Sequence, residues 1–246
     1  LAECFSAFIS LVSIDLISTR TLSTVFLGVM RAFSTDYQNL SGIEAGVRMT
    51  SILDNPNIFA GCVGIGVLLS LGLVNSSENP LERRFHTACL ALCSLGFLLA
   101  FSMGASGVIA VVFLIYLLLE PARKRSALLV LMVETLVCTL LAAFPIYLTS
   151  FDTWTQMQPI PLLAAVCAAV ALCLVDHFVG YKVSLSLQNR PKAAPVMLIA
   201  VLAVCGAYAA LALNVTGGVT LEAGESLRRS AYPDPGSYTL TVQSDQ

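Results

Sequence analysis

Residues 88–119 run for 32 positions without a charged side chain. As one helix the run would be roughly 48 Å long at 1.5 Å per residue, too long for a hydrocarbon core of about 30 Å without extreme tilt. Arg83 and Arg84 precede it, and Arg123, Lys124 and Arg125 follow. Basic residues favour the cytoplasmic side, so both flanks belong inside and the run must cross an even number of times. Two helices satisfy this. The turn between them is expected at S-M-G-A-S-G, residues 102–107, where two glycines and two serines provide turn conformations and partners for freed backbone groups.

The rest of the chain fits a membrane setting. Hydrophobic residues make up 57% and charged residues 11%, with a mean hydropathy of +0.84, a balance that no soluble domain could solvate. A net charge of -2, with no basic run longer than residues 123–125, gives no footprint for nucleic acid. Further spans are expected at 57–74, 130–150 (entered from about 126), 161–180 and 196–213. Pro145 is expected to kink the span at 130–150. Propagating the topology places 75–87, 121–125 and 181–195 inside, with eight of the 13 basic residues. It places 32–56, 151–158 and everything after 214 outside. Residues 1–33 contain Glu3, Asp15, Arg20 and Arg31 and read as two crossings with a tight inner turn near 15–20, or as one tilted or interfacial helix.

The expected fold is an all-α polytopic membrane helix bundle of about 7–8 transmembrane helices, spanning 1–214 with an outer loop at 34–56. A short extracytoplasmic β segment follows at 215–246. There, Tyr238, Leu240 and Val242 alternate with Ser237, Thr239 and Thr241 after Pro235-Gly236. This reads either as the unfinished start of a β-sandwich or as a juxtamembrane hairpin.

Polar residues concentrate in the outer loop, which carries Asp36, Tyr37, Gln38, Asn39, Glu44, Arg48, Asp54, Asn55 and Asn57. Asn55 suits an N-cap and Pro56 a first helical position. The free N–H groups of a helix start favour anions, and a nearby guanidinium strengthens such a site through paired, charge-assisted hydrogen bonds. Two readings of Arg48 stand: an anion ligand, or a side chain reaching for lipid headgroups. Glu134 is a carboxylate well inside a predicted span, near which His177 arrives if the neighbouring helices pack. It reads as a proton or ion relay, or as a neutral acid held for packing. Gly61, Gly64, Gly66 and Gly72 suit close helix approach. The eight cysteines read as small hydrophobes. Cys89 and Cys93 share a helix face but no third ligand joins them, so no metal and no cofactor is expected.

The order of these features resembles the bacterial O-antigen ligase and polymerase family. The shared elements are Arg48 followed by Asn55-Pro56-Asn57, a helix beginning I-F-A-G, a basic inner loop, and a helix pair broken at a Ser/Gly/Ala turn, together covering roughly residues 48–119. The resemblance implies a metal-independent glycosyltransferase in the bacterial cytoplasmic membrane. It would move glycan from an undecaprenyl-diphosphate-linked donor to a lipid or saccharide acceptor at the outer face. Arg48 would be the catalytic residue, binding the diphosphate with Asn55, Asn57 and Ser102 around it. Ser102 is followed by Met103, where the family commonly has arginine, and 151–158 carries neither Arg nor His. The chain accordingly reads as part of a longer enzyme. The competing reading is a membrane anchor for an extracytoplasmic domain, or a transporter using Glu134.

Overall fold

A computed structural model describes residues 1–31, 43–44, 48–150 and 158–180, with isolated positions at 182, 183, 186, 199, 203, 206 and 207. The predicted β segment at 215–246, the loop at 151–157 and most of the predicted helix at 196–213 lie outside the described residues. Within them the protein is all-α, with seven helices: α1 (Ala2–Leu16), α2 (Thr21–Arg31), α3 (Pro56–Ser76), α4 (Pro80–Leu99), α5 (Met103–Leu119), α6 (Ala122–Ser150) and α7 (Ile160–Val175). A π turn, Asp176–Gly180, continues α7. Before α3, β1 (Ile43–Glu44) and β2 (Arg48–Met49) form a two-residue antiparallel ribbon, followed by a short 3-10 turn, Ser51–Leu53.

Three stretches, Pro56–Ser76, Lys124–Thr149 and Ile160–Gly180, are each long and apolar enough to cross a membrane, and α1 with α2 forms a fourth, bent candidate. This is a membrane protein with three to four such spans among the described residues. α3 to α7 alternate in direction. One end of the bundle gathers the start of α3, the end of α4, the start of α5 and the end of α6; it is called here the Arg48 end. The opposite end carries Arg83, Arg84, Lys124 and Arg125 and is called the basic end.

Local sequence explains the helix boundaries. Asn55 accepts from the N–H groups of Asn57 and Ile58, and Pro56 opens α3. Asn79 likewise accepts from the Leu81 N–H, and Pro80 opens α4. Proline at the first position sacrifices an N–H that has no intrahelical partner in any case. Between α4 and α5 the break falls at residues 100–102, not at the predicted 102–107. Phe101 takes φ 45° and Ser102 caps α5 by accepting from the Ala105 N–H. Gly104 and Gly107 are then ordinary helical residues. The basic triplet was expected in a loop but starts α6, and Arg125 reaches back to the carbonyls of Leu118 and Glu120 at the end of α5. α6 remains one helix through Pro145, so the predicted kink does not break it.

The N-terminal expectation needs the largest correction. Ser18 Oγ donates to the Gln158 carbonyl at 2.7 Å, and Ile14 and Leu16 share a core with Met49, Ile52 and Phe59. The turn at 15–20 therefore lies at the Arg48 end, opposite to the inner position expected. Asp15 is fully buried there and accepts from Ser23 N, Ser23 Oγ and Thr19 Oγ1. Arg20 has φ 57°, and α2 leaves at 113° to α1 without returning antiparallel along it.

α1 is threaded through the bundle with its polar side inward. Ser6 Oγ donates to the Cys62 carbonyl of α3 at 3.0 Å, and Ser10 Oγ to the Leu92 carbonyl of α4 at 2.5 Å. Small residues and hydroxyls are what draw helices together where lipid already satisfies apolar surface. Gly66 belongs to the same seam, since a Cβ there would lie 2.5 Å from Ser6 Cβ and 2.6 Å from Cys93 Sγ. Gly61 has no such neighbour, so close approach does not explain it.

Candidate anion site at the Arg48 end

Four residues singled out in the sequence meet at one junction. Asn57, in the first turn of α3, accepts through Oδ1 from Arg48 Nη2 at 3.1 Å and from Ser102 Oγ at 2.9 Å. Arg48 Nε also points at the Ala100 carbonyl, at 3.4 Å, where α4 ends. Asn55 Oδ1 holds the Asn57 and Ile58 N–H groups at 2.9 and 3.1 Å. Residues 48, 57 and 102 thus become neighbours because α3 and α4 form an antiparallel pair whose far end returns to the start of α3.

The electrostatic setting combines a guanidinium, two helix starts and a facing acidic residue. Two helix N-termini, of α3 and α5, lie beside the guanidinium, and each contributes a partial positive charge and incompletely bonded N–H groups. The ribbon register sets Glu44 opposite Arg48. Asn57 is exposed and Arg48 half-buried, whereas Ser102 is buried, so the guanidinium is steadied from below by a hydroxyl-braced amide. The four described non-glycine residues with left-handed backbone, Arg20, Ser51, Asp54 and Phe101, all lie at this end. Such conformations cost about 1–3 kcal/mol each and persist only where surrounding structure holds them. Phe101 is fixed by burial and an edge contact with Tyr147, ring centroids 6.3 Å apart.

The other expected site residues lie toward the basic end and do not join this junction. Glu134 is buried, yet its expected partner His177 is not beside it. α6 and α7 do pack, but the π turn swings His177 to the exposed side, against Phe178. Glu134 instead meets Gly180, where an added Cβ would lie 2.7 and 2.8 Å from its two carboxyl oxygens. Asp176 on the same turn receives a two-pronged hydrogen bond from Arg83, Nε to Oδ2 at 2.8 Å and Nη2 to Oδ1 at 2.6 Å.

Sequence reasoning did not find the Arg83–Asp176 pair, although it put Arg83 in the inner segment 75–87 and Asp176 falls near the inner end of the predicted 161–180 span. Opposite charges at one depth were the available signal, and what was missing was that α4 packs on α7. It also missed a buried network in which Glu3 binds His86 Nδ1 at 2.5 Å and Ser70 Oγ at 3.0 Å, because nothing local in the sequence says that α1 packs on α3 and α4. No group of three or more His, Cys, Asp and Glu side chains suited to a metal gathers among the described residues. Comparisons with family models, curated proteins and solved structures give no match to this chain.

Proposed function

We propose that the Arg48 end is the diphosphate site of a membrane glycosyltransferase of the O-antigen ligase and polymerase type. The donor is an undecaprenyl-diphosphate-linked glycan and the acceptor a lipid or saccharide hydroxyl, at the outer face of the bacterial cytoplasmic membrane. Arg48 binds the diphosphate and stabilises the charge that develops as the sugar–phosphate bond breaks. Asn57 and Ser102 hold the guanidinium in place, and Asn55 fixes the start of α3. The acceptor hydroxyl attacks the anomeric carbon, the lipid diphosphate departs, and the hydroxyl proton passes to solvent. A preorganised cation aimed at developing negative charge is commonly the largest single catalytic contribution, and needs no metal. On this reading the bundle has about 7–8 crossings, with the Arg48 end outside and residues 215–246 on the same side.

The observation that carries the reading is the convergence of Arg48, Asn57 and Ser102 on one carboxamide oxygen between two helix starts. Each was picked from sequence for its place in a motif, not for proximity. The test is glycan transfer in membranes carrying the full-length protein, comparing wild type with Arg48→Ala and Arg48→Lys. Transfer should collapse in the first and partly survive in the second, since lysine keeps the charge but not the paired geometry. Undiminished transfer by Arg48→Ala, at equal protein level, would overturn the assignment.

A further inference from the structure

Near the basic end, three helices bring two carboxylates and one guanidinium together with unequal results. Arg83 of α4 gives Nε and Nη2 to Asp176 and Nη1 to the Val74 carbonyl at the end of α3, at 3.1 Å. All three of its nitrogens are thereby engaged. Glu134 of α6 is 9% exposed, and its Oε2 has no hydrogen-bond partner among the described residues. The charged groups acting on it are Asp176 from the π turn and Arg83 from α4, and Cys138 is the titratable neighbour on its own helix. Its carboxyl is pressed against the backbone of Gly180, with no room for even a methyl group between them.

An ionised carboxylate in that position would be buried, short of a partner and beside a second negative charge. Burying an unpaired charge is among the costliest arrangements in a protein, and the usual resolution is to neutralise the group. The π turn adds a second, independent indication. It interrupts the regular α pattern where α7 passes Glu134, turning Asp176 to Arg83 and Gly180 to Glu134; such irregularities often occur at functional positions.

We propose that Glu134 is a proton-binding site, occupied when α6 is closed on the π turn of α7, and that the contact holds only while the carboxyl carries its proton. Asp176 is the positioning residue, because by occupying Arg83 it keeps the guanidinium from ionising Glu134. The inference stands independently of the glycan-transfer reading.

Infrared difference spectroscopy on the purified full-length protein tests it, through the C=O stretch of a protonated carboxyl at neutral pH. Wild type should show a band that Glu134→Gln removes. Asp176→Asn should weaken the band with Glu134 still present, because Arg83 is released to pair with it. The linkage gives a second readout. A folded state that holds a proton the unfolded chain releases loses stability as pH rises, so the wild-type melting midpoint should fall relative to Glu134→Gln on going from acidic to alkaline buffer. Identical carboxyl spectra for wild type and Glu134→Gln, parallel melting curves across pH, or a full-strength band in Asp176→Asn would each overturn the proposal.

Discussion

The chain starts two of its helices with the same device, and the two differ in what surrounds them. Asn55-Pro56 opens α3 at the Arg48 end and Asn79-Pro80 opens α4 at the basic end, each asparagine accepting backbone N–H groups of the first turn. After Pro80 comes Leu81, an exposed apolar side chain. After Pro56 comes Asn57, which binds both Arg48 and Ser102. The Asn-Pro pair is therefore a helix-starting unit wherever it occurs. What distinguishes the Arg48 end is the third residue and the arginine that reaches it. The arginines differ in setting as well: Arg83 binds Asp176 across the contact of α4 with α7, and Arg48, opposite Glu44 in the ribbon, binds an amide and a carbonyl beside two helix N-termini.

The largest effect expected from this contrast is on catalysis. Arg48→Ala should lower the transfer rate about 100- to 1,000-fold, the usual range for removing one preorganised stabiliser of transition-state charge. Arg84→Ala at the basic end should leave the rate near wild type. Equal losses from both would show that general surface charge, and not the junction, carries the activity. Next in size is Asp176→Ala, which strands Arg83 and should destabilise the protein by roughly 2 kcal/mol. That lies between the values for buried and exposed pairs, because the arginine side chain is 36% exposed and the aspartate 8%. Thermal unfolding in detergent would measure it, and no change would mean that the pair is cosmetic.

Smaller effects sharpen the comparison further. Gly66→Ala should cost about 1–3 kcal/mol through overpacking against Ser6 and Cys93, while Gly61→Ala, with open space at its Cβ, should cost nothing measurable. Asn55→Ala and Asn79→Ala should each lose about 1 kcal/mol of stability as N-caps. If Asn55→Ala lowers transfer much more than Asn79→Ala does at equal folded fraction, Asn55 has a role beyond starting α3.

How much of this was legible in the sequence depended on whether a residue's role was local or a matter of packing. The start of α3 was readable because Asn55-Pro56 carries its own reason, and so was the division of residues 88–119 into two helices, forced by length and flanking charge. The exact break was not. A sequence rich in Ser and Gly at 102–107 looks like a turn, but Ser102 as a cap and a left-handed Phe101 end one helix and begin the next within three residues. α1 was misplaced for a related reason. Serines on an apolar helix say that some face is polar, and only the packing shows that this face bonds the carbonyls of α3 and α4. Glu134 was visible as an outlier, while its neighbours depended on the π turn, whose local sequence carries no clear signal.

Binding of a lipid diphosphate at the junction of Arg48, Asn57 and Ser102 is tested most directly by the equilibrium affinity of the purified full-length protein for undecaprenyl diphosphate. Wild type and Arg84→Ala should bind it alike, and Arg48→Ala should bind at least tenfold more weakly, about 1.4 kcal/mol. Equal affinity in wild type and Arg48→Ala would contradict it.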